Sequence, residues 1–333
     1  MKISSEISIK TLGETAHQAI EKHFTKTIKW EKAVKKDEDP EPLHQMRVGM
    51  RRLRTAVSKF EKYLDLPKSV TDKNIGKFAR TLGSLRDLDI LKESLEKNYK
   101  PHVLEKEQKY LETAFTELDK EREIAVDHVQ KIFKDQVYKS FKNECENWLK
   151  NPRYQTFSSV PIHYVLSDLL SPEVSQFCLH PGWLIGAKIA KSEILVQTKW
   201  TPSQLEKHLK TESETLHNLR KQAKRLRYQM ELFTELYSES FTAHIHDVKN
   251  IQEILGMIQD NIVLHGWLEN IFKSELETEL RGLTTLLTAN RYQLWQEWQP
   301  LQQRYLQADT KYNLHLVVLQ PTLEDIKQEE RHG

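Results

Sequence analysis

Two stretches of the chain, 173 residues apart, carry the same pattern of histidine and basic residues. The first reads LHQMRVGMRRLR around His44, and the second reads LHNLRKQAKRLR around His217. The same offset relates a glycine and an aspartate further along: Gly83 to Gly256 and Asp87 to Asp260. An offset kept over about forty residues indicates two copies of one structural unit. The repeat therefore predicts two halves that each present a similar basic surface.

Charge and cysteine content narrow the possible functions. Fifty Lys and Arg residues stand against 48 Asp and Glu, a formal net charge of +2, so any anion site must come from local segregation of charge. The two cysteines are too few for a disulfide framework or a thiolate metal site, which favours a reducing compartment. The N-terminal MKISSEISIKTLGE has no apolar signal core, and no apolar run is long enough for a membrane span. We expect a cytoplasmic protein without a membrane partner.

Apolar residues at three- and four-residue spacing, with only ten Gly and eleven Pro, favour helices nearly everywhere. We predict an all-α protein built as two tandem four-helix-bundle halves. The predicted helices span residues 11–36, 41–65, 70–98, 101–149, 183–199, 211–237, 241–273 and 275–308.

The domain boundaries follow from these helices. The first half is predicted at 11–149 and the second at 183–308, joined by a connector at 150–182 that holds four prolines and less charge. Residues 309–333 are predicted to be a tail that begins with a strand-like LHLVVLQP. Its last ten polar residues are expected to be disordered.

Each basic stretch forms one face of a predicted helix. At about 100° per residue, His44, Arg47, Arg51 and Arg54 fall in a wedge about 80° wide, opposite an apolar face. The second copy repeats this geometry with His217, Arg220, Lys224 and Arg227.

Like charges at this spacing destabilise a helix by about 0.2–0.5 kcal/mol per pair, so an anion should offset them. Arginine forks, a lysine charge and a histidine donor together suit phosphate oxygens. A charged helix face is usually only solvated, and Asp87, Asp89 or Asp260 could neutralise the arginines within the chain. Duplication of the stripe nevertheless favours an anion site.

The motifs HQMRVGMRRLR, LGSLRDLDIL, LHNLRKQAKRLRY and ILGMIQD closely resemble the CHAD family of α-helical domains, over about residues 11–308. The resemblance implies two four-helix halves related by a pseudo-twofold axis, a basic central cleft and binding of inorganic polyphosphate, with possible targeting to polyphosphate granules. Many CHAD proteins carry a CYTH triphosphatase domain ahead of this unit. Here the helical unit already begins near residue 11, so we expect a CHAD domain that stands alone.

The polyphosphate-binding residues follow from the positions that match the family motifs. We predict that they are His44, Arg47, Arg51, Arg52, Arg54, His217, Arg220, Lys224, Arg225 and Arg227. Weaker candidates are Arg80, Arg86, Lys221 and Tyr228. The second half has Gln259 in place of Arg86 and Ile262 in place of Asp89, so the two halves are expected to contribute unequally.

Two further sequence patterns resemble catalytic or metal-binding motifs, but we do not interpret them as such. The ExExK pattern at Glu105, Glu107 and Lys109 lies in a helical stretch that scatters the three side chains, and HIHD at 244–247 has no second histidine cluster. We therefore predict no catalytic residue, metal site or cofactor. A nucleic-acid-binding module and a scaffold that recruits proteins to an anionic polymer remain alternatives, although a single-strand binder usually offers aromatic stacking platforms and only Tyr228 lies near a basic face.

Overall fold

The computed structural model describes residues 10–191 and 193–322, and within them the all-α prediction is confirmed except for one β-hairpin. The helices are α1 (Leu12–Ile28), α2 (Glu31–Lys36), α3 (Pro40–Phe60), α4 (Asp72–Ser94), α5 (Glu105–Lys134), α6 (Gln136–Lys150), α7 (Leu166–Cys178), α8 (Pro202–Glu231), α9 (Glu239–Phe272), α10 (Leu276–Glu279), α11 (Arg281–Leu306) and α12 (Ala308–Leu319). In these described residues no helix is both long and apolar enough to cross a bilayer.

Several helices begin at side-chain caps that satisfy free backbone N–H groups. Thr11 forms a capping box with Glu14 at the start of α1, and Thr201 forms one with Gln204 at the start of α8. The predicted helix at 101–149 is instead two helices, because Asp135 ends α5 in an extended conformation and accepts a hydrogen bond from the first turn of α6. Local side-chain caps therefore determine where these helices begin. The apolar periodicity continues through the break between α5 and α6 and does not reveal it.

The prediction of a helix at 183–199 is wrong. A short 3-10 turn, Pro181–Leu184, leads into an antiparallel hairpin of β1 (Ala187–Ala190) and β2 (Glu193–Val196). Gly186 has φ +73°, a left-handed conformation that interrupts a helix, and a Cβ there would lie 2.7 Å from the Trp295 ring. The β-branched residues of the segment then pair across the hairpin.

The connector contains a helix that we did not predict, and the start of the tail is helical rather than strand-like. Residues 150–182 contain α7, which packs on α8 and α12 and buries Leu170 and Phe177 in the core. The first six residues of the strand-like LHLVVLQP form the end of α12, where Leu314 and Val318 are four residues apart and both are buried. The predicted disorder of the last ten residues lies outside the described part of the chain.

Two apolar clusters hold the helices. The larger surrounds α3 and α8, and the smaller joins the ends of α4 and α9 to α5 and α11. Glu107 of the ExExK pattern is buried here and accepts a hydrogen bond of 2.6 Å from the Gly282 N–H in the first turn of α11. This carboxylate is thus a helix cap.

Candidate functional site

Helices α3 and α8 pack against each other and carry the two basic stripes. The Phe60 and Phe233 rings make an edge contact with centroids 6.0 Å apart, and Arg52 of α3 forms an ion pair of 3.0 Å with Glu231 of α8. Apolar residues such as Leu53 and Leu226 are fully buried, which holds the basic faces in a defined orientation. The packing therefore places both stripes in one region.

Five cations of the two stripes influence one another electrostatically, and we call them the cationic cluster: Arg47, Arg51, Arg220, Lys224 and Arg227. They are not an ordinary solvated face. Only 14% of the Arg47 side chain is exposed, with 23% for Arg220 and 11% for Arg227. Partly desolvated like charges are costly without an anion, so the cluster is poised for one.

Lys224 has the most perturbed amine of the cluster. Burial lowers its pKa to about 6, and the positive charges of neighbouring guanidinium groups add to this effect in the order Arg51, Arg220, Arg47 and Arg227. Two of these arginines belong to α3 and two to α8 itself. Burial and the neighbouring cations therefore both favour the uncharged form of the Lys224 amine.

Arg47 and Arg220 occupy equivalent positions, each beside an aspartate. Burial, then the charge of Arg51, lowers the pKa of Arg47 to about 10, while Asp87 opposes this through a 2.8 Å ion pair. Arg220 lies 3.9 Å from Asp260. Burial and the nearby Asp87 charge raise the pKa of Asp260 despite the cations around it. The aspartates therefore orient the arginines from the neighbouring helices α4 and α9.

Gly83 and Gly256 make room for these two guanidinium groups. A Cβ on Gly256 would lie 3.1 Å from Arg220 Nε, and one on Gly83 would lie 3.5 Å from Arg47 Nε. The repeated glycine therefore lets an arginine lie flat against the backbone of the next helix.

The two histidines of the basic stripes have lowered pKa values. Burial lowers the pKa of His44, with Arg86 as the next cause, and burial lowers the pKa of His217, with Lys221 as the next cause. Lys221 itself is exposed. Each ring becomes a stronger donor if an arriving anion raises its pKa again.

Buried donors in this region lack a hydrogen-bond acceptor within the described residues. They are Nε of Arg47, Arg86 and Arg220. A buried donor without a partner costs about 1–3 kcal/mol. Three such guanidinium groups therefore leave unused hydrogen-bonding capacity beside the cationic cluster.

Three of the ten predicted residues lie outside the cationic cluster and pair with carboxylates there. Arg54 makes two hydrogen bonds of 2.8 Å to Asp72. Arg225 pairs at 2.8 Å with buried Glu173 of α7. The third, Arg52, pairs with Glu231, which also approaches Arg227 at 3.3 Å.

The sequence reasoning missed these acidic partners. Glu231 lies four residues after Arg227, a spacing that could have revealed it. Asp72 and Glu173 lie on other helices, and nothing in the basic motifs points to them.

The weaker candidates for polyphosphate binding lie in different surroundings. Arg86 lies near His44 and 3.7 Å from Glu93, whereas Arg80 is exposed and lines a groove with His128 and Lys131 of α5. Tyr228 is buried, and the Arg227 guanidinium lies 4.6 Å from its ring centroid. Tyr228 is therefore covered by an arginine.

The HIHD segment has structural partners. His244 contacts Asn313 at 2.9 Å, and Asp247 pairs with Arg304 at 2.9 Å. Within residues 10–191 and 193–322, no group of three or more His, Cys, Asp or Glu side chains is arranged to hold a metal ion. Cys145 and Cys178 are buried free thiols.

Comparison with known proteins gives one family. The family described as CHAD domain matches residues 18–269, and no CYTH match accompanies it. The chain is similar to the crystal structure of the CHAD domain from the plant Ricinus communis, with 19% identity, a TM-score of 0.55 and coverage of 96% of this chain and 97% of that one. It is also similar to PptA from Streptomyces chartreusis, with 11% identity, a TM-score of 0.55 and coverage of 93% and 100%. No curated protein matches the chain significantly.

Proposed function

The chain belongs to the CHAD domain family, and we propose that it binds inorganic polyphosphate without cleaving it. The family is linked to polyphosphate binding in general. The observation that carries the proposal for this chain is the cationic cluster, in which partly buried guanidinium groups and one amine from α3 and α8 lie close enough to lower one another's pKa.

A chain of phosphates fits this cluster better than a single phosphate. Arg51 and Lys224 have no carboxylate within ion-pair distance in the described residues. A polymer that reaches from α3 to α8 makes the second contact at high effective concentration.

Equivalent residues of the two repeats face each other in this region, as the electrostatic influence between Arg51 and Lys224 and the Phe60–Phe233 contact indicate. Residues related by a twofold axis approach each other only where that axis passes between them. We infer that the two halves are related by a pseudo-twofold axis through the cluster. We further propose that α1, α3, α4 and α5 form the bundle of the first half and that α8, α9 and α11 belong to the second, with α7 of the connector packing on α8.

This symmetry favours polyphosphate over nucleic acid. A polyphosphate chain has no direction, so it meets two symmetric sets of cations equally well in either sense. A nucleic acid strand has a direction and bases that require stacking surfaces. Tyr228 is buried under Arg227 and offers no such surface.

We propose binding without hydrolysis. Asp87 and Asp260 lie beside arginines that they orient, and Glu107 caps a helix in the core. These contacts give each carboxylate a role other than catalysis. In a cell that stores polyphosphate, the chain would accumulate on the granules and could recruit partner proteins there.

Isothermal titration with orthophosphate, tripolyphosphate and long polyphosphate at pH 6.5 tests the proposal. We expect affinity to rise with chain length. Arg51→Ala and Lys224→Ala should each weaken binding by about 1–3 kcal/mol and reduce its salt dependence. Arg153→Ala is the matched control, because Arg153 is exposed and pairs with Asp65. Equal affinities for the three ligands contradict the proposal.

Competition between long polyphosphate, single-stranded DNA and RNA separates the alternatives. Polyphosphate should displace both nucleic acids at equal phosphate concentration. A preference for either nucleic acid would favour the nucleic-acid-binding function instead. Fluorescently labelled protein should collect on polyphosphate granules, and the Arg51→Ala variant should not.

A further inference from the structure

We propose that the polyphosphate site extends beyond the cationic cluster, across Arg80 of α4 and into a groove between α4 and α5. A polymer long enough to leave the cluster reaches this groove, whereas a short one does not. The inference rests on the proposed function, because it adds a second part to the same binding site and assigns it the same ligand.

The groove between α4 and α5 is a separate cavity of about 290 Å³. A water molecule needs about 10–15 Å³ of such space, so the groove has room for several phosphate units. Its buried lining residues are Ala125 and Ile132 of α5. The polar lining residues are Arg80, Thr81 and Ser84 of α4, His128 and Lys131 of α5, and Asp135 between α5 and α6.

Three of these residues can donate hydrogen bonds to phosphate oxygens. Arg80 and His128 are exposed, and no carboxylate is within ion-pair distance of either in the part of the chain that the structure describes. Lys131 pairs with Asp127 on its own helix, but 69% of its side chain is exposed, and its ammonium group has further N–H donors. The Arg80 guanidinium group suits phosphate best, because it offers two parallel donors.

The acidic and hydroxyl groups of the groove already have partners. Asp135 pairs with Lys77 at 3.3 Å and accepts a hydrogen bond of 2.9 Å from the Val137 N–H. The Thr81 and Ser84 hydroxyls donate to backbone carbonyls of α4 itself. The groove therefore offers free donors to an anion, while its lining carboxylate is offset by a lysine.

Helices α3 and α4 pack in an antiparallel register that places two glycines of α4 against arginines of α3. A Cβ on Gly76 would lie 3.1 Å from Arg54 Cζ, and one on Gly83 would lie 3.5 Å from Arg47 Nε. The two glycines are seven residues apart, as are the two arginines, which is about two helical turns. The turns between these contacts therefore face each other.

Arg80 lies at the border between the cluster and the groove. It follows Gly76 by four residues, so it lies on the same face of α4. The register places it opposite the turn of α3 that carries Arg51. Its exposed side chain lines the groove together with His128. A phosphate chain that leaves Arg51 across α4 thus meets Arg80 first and the groove next.

The second repeat has different residues at the equivalent positions of α9. At the 173-residue offset, Glu253 takes the place of Arg80, and Met257 takes the place of Ser84. Glu253 lies 3.8 Å from Lys249, and Met257 is 46% exposed. A carboxylate repels phosphate, and a thioether offers it no donor. The polymer therefore leaves the cluster across α4 rather than across α9.

Titration of tripolyphosphate and long polyphosphate into Lys131→Gln tests the inference. Lys131 lies outside the cluster, so the affinity for tripolyphosphate should be unchanged. The affinity for long polyphosphate should fall about threefold, the scale of one exposed ion pair. Lys120→Gln is the matched control, because Lys120 is also exposed on α5 and pairs with Glu117, but it lines a different groove. It should change neither affinity.

Amine labelling maps the path of the polymer directly. N-hydroxysuccinimidyl acetate modifies exposed lysines of the full chain, and peptide mass spectrometry gives the rate at each one. Long polyphosphate should slow the labelling of Lys131, and tripolyphosphate should not. Lys120 should react at the same rate with either ligand. Circular dichroism verifies that the variants fold.

The outcomes separate this inference from the proposed function. Equal losses of affinity for long polyphosphate in Lys131→Gln and Lys120→Gln, or no protection of Lys131 from labelling, would overturn the extension. If Arg51→Ala still weakens binding of both ligands in that case, the proposed function stands without it. If the natural chain binds neither ligand, the proposed function and the extension are both wrong.

Discussion

Polyphosphate binding should take up a proton at Lys224, and this makes affinity depend on pH. The amine has a pKa of about 6 in the free chain because of burial and the charges of neighbouring arginines. A bound polyanion neutralises those charges and raises the pKa of the amine again. Charging the amine at pH 7.5 costs about 2 kcal/mol in the absence of ligand. Affinity should therefore fall about tenfold per pH unit above pH 6.

Lys224→Arg removes this dependence, because a guanidinium group stays charged throughout the range. The variant should match the natural chain near pH 6 and bind up to about a hundredfold tighter at pH 8. His44 and His217 are unchanged in both proteins, as are the end groups of the polymer. The difference between the two slopes is therefore due to Lys224.

The assay is isothermal titration of long polyphosphate between pH 6 and 8.5 in two buffers with different heats of ionisation. The heat difference counts the protons taken up on binding. We expect close to one more proton for the natural chain than for the variant at pH 8. Lys221→Arg is the matched control and should change neither slope nor uptake, since Lys221 is exposed. Identical slopes for the natural chain and Lys224→Arg would refute the reasoning.

Four further predictions follow from the contacts. Gly256→Ala should weaken polyphosphate binding in titration about tenfold more than Gly83→Ala, since its Cβ would lie 3.1 Å from a guanidinium rather than 3.5 Å. Lys224→Met should raise the melting temperature at pH 7. The pKa of Lys224 is lower in the folded chain than in the unfolded chain, so the natural chain loses stability as pH falls from 10.5 towards 6, whereas the variant should not. Glu107→Ala should lower the free energy of unfolding in urea by about 1–3 kcal/mol, with exposed Glu105→Ala nearly neutral. Purified protein with Mg²⁺ or Mn²⁺ should release no phosphate above blank from polyphosphate.

Local patterns in the sequence were sufficient to predict most helices and both basic faces. Apolar residues repeat every three or four positions along α3 and α8, so the side of each helix that is buried follows from the sequence. The family could also be predicted from the sequence, because the duplicated motifs lie within the matched residues 18–269. Apolar periodicity did not predict the structure of two short segments. One is the hairpin that follows Gly186, and the other is α12, where a run of apolar residues is compatible with a strand or a helix.

The tertiary structure decided which basic residues pair with acidic residues outside the cationic cluster. Arg54, Arg225 and Arg52 pair with acidic residues 18, 52 and 179 positions away, and no local pattern encodes such contacts. The charge of Lys224 is likewise a tertiary property. In the sequence, a lysine on a basic helix face resembles an ordinary cation. Its pKa falls to about 6 because packing removes water from the amine and because arginines of α3 and α8 add their positive charges. The sequence by itself thus determined two basic helices, and their packing determined how each basic group behaves.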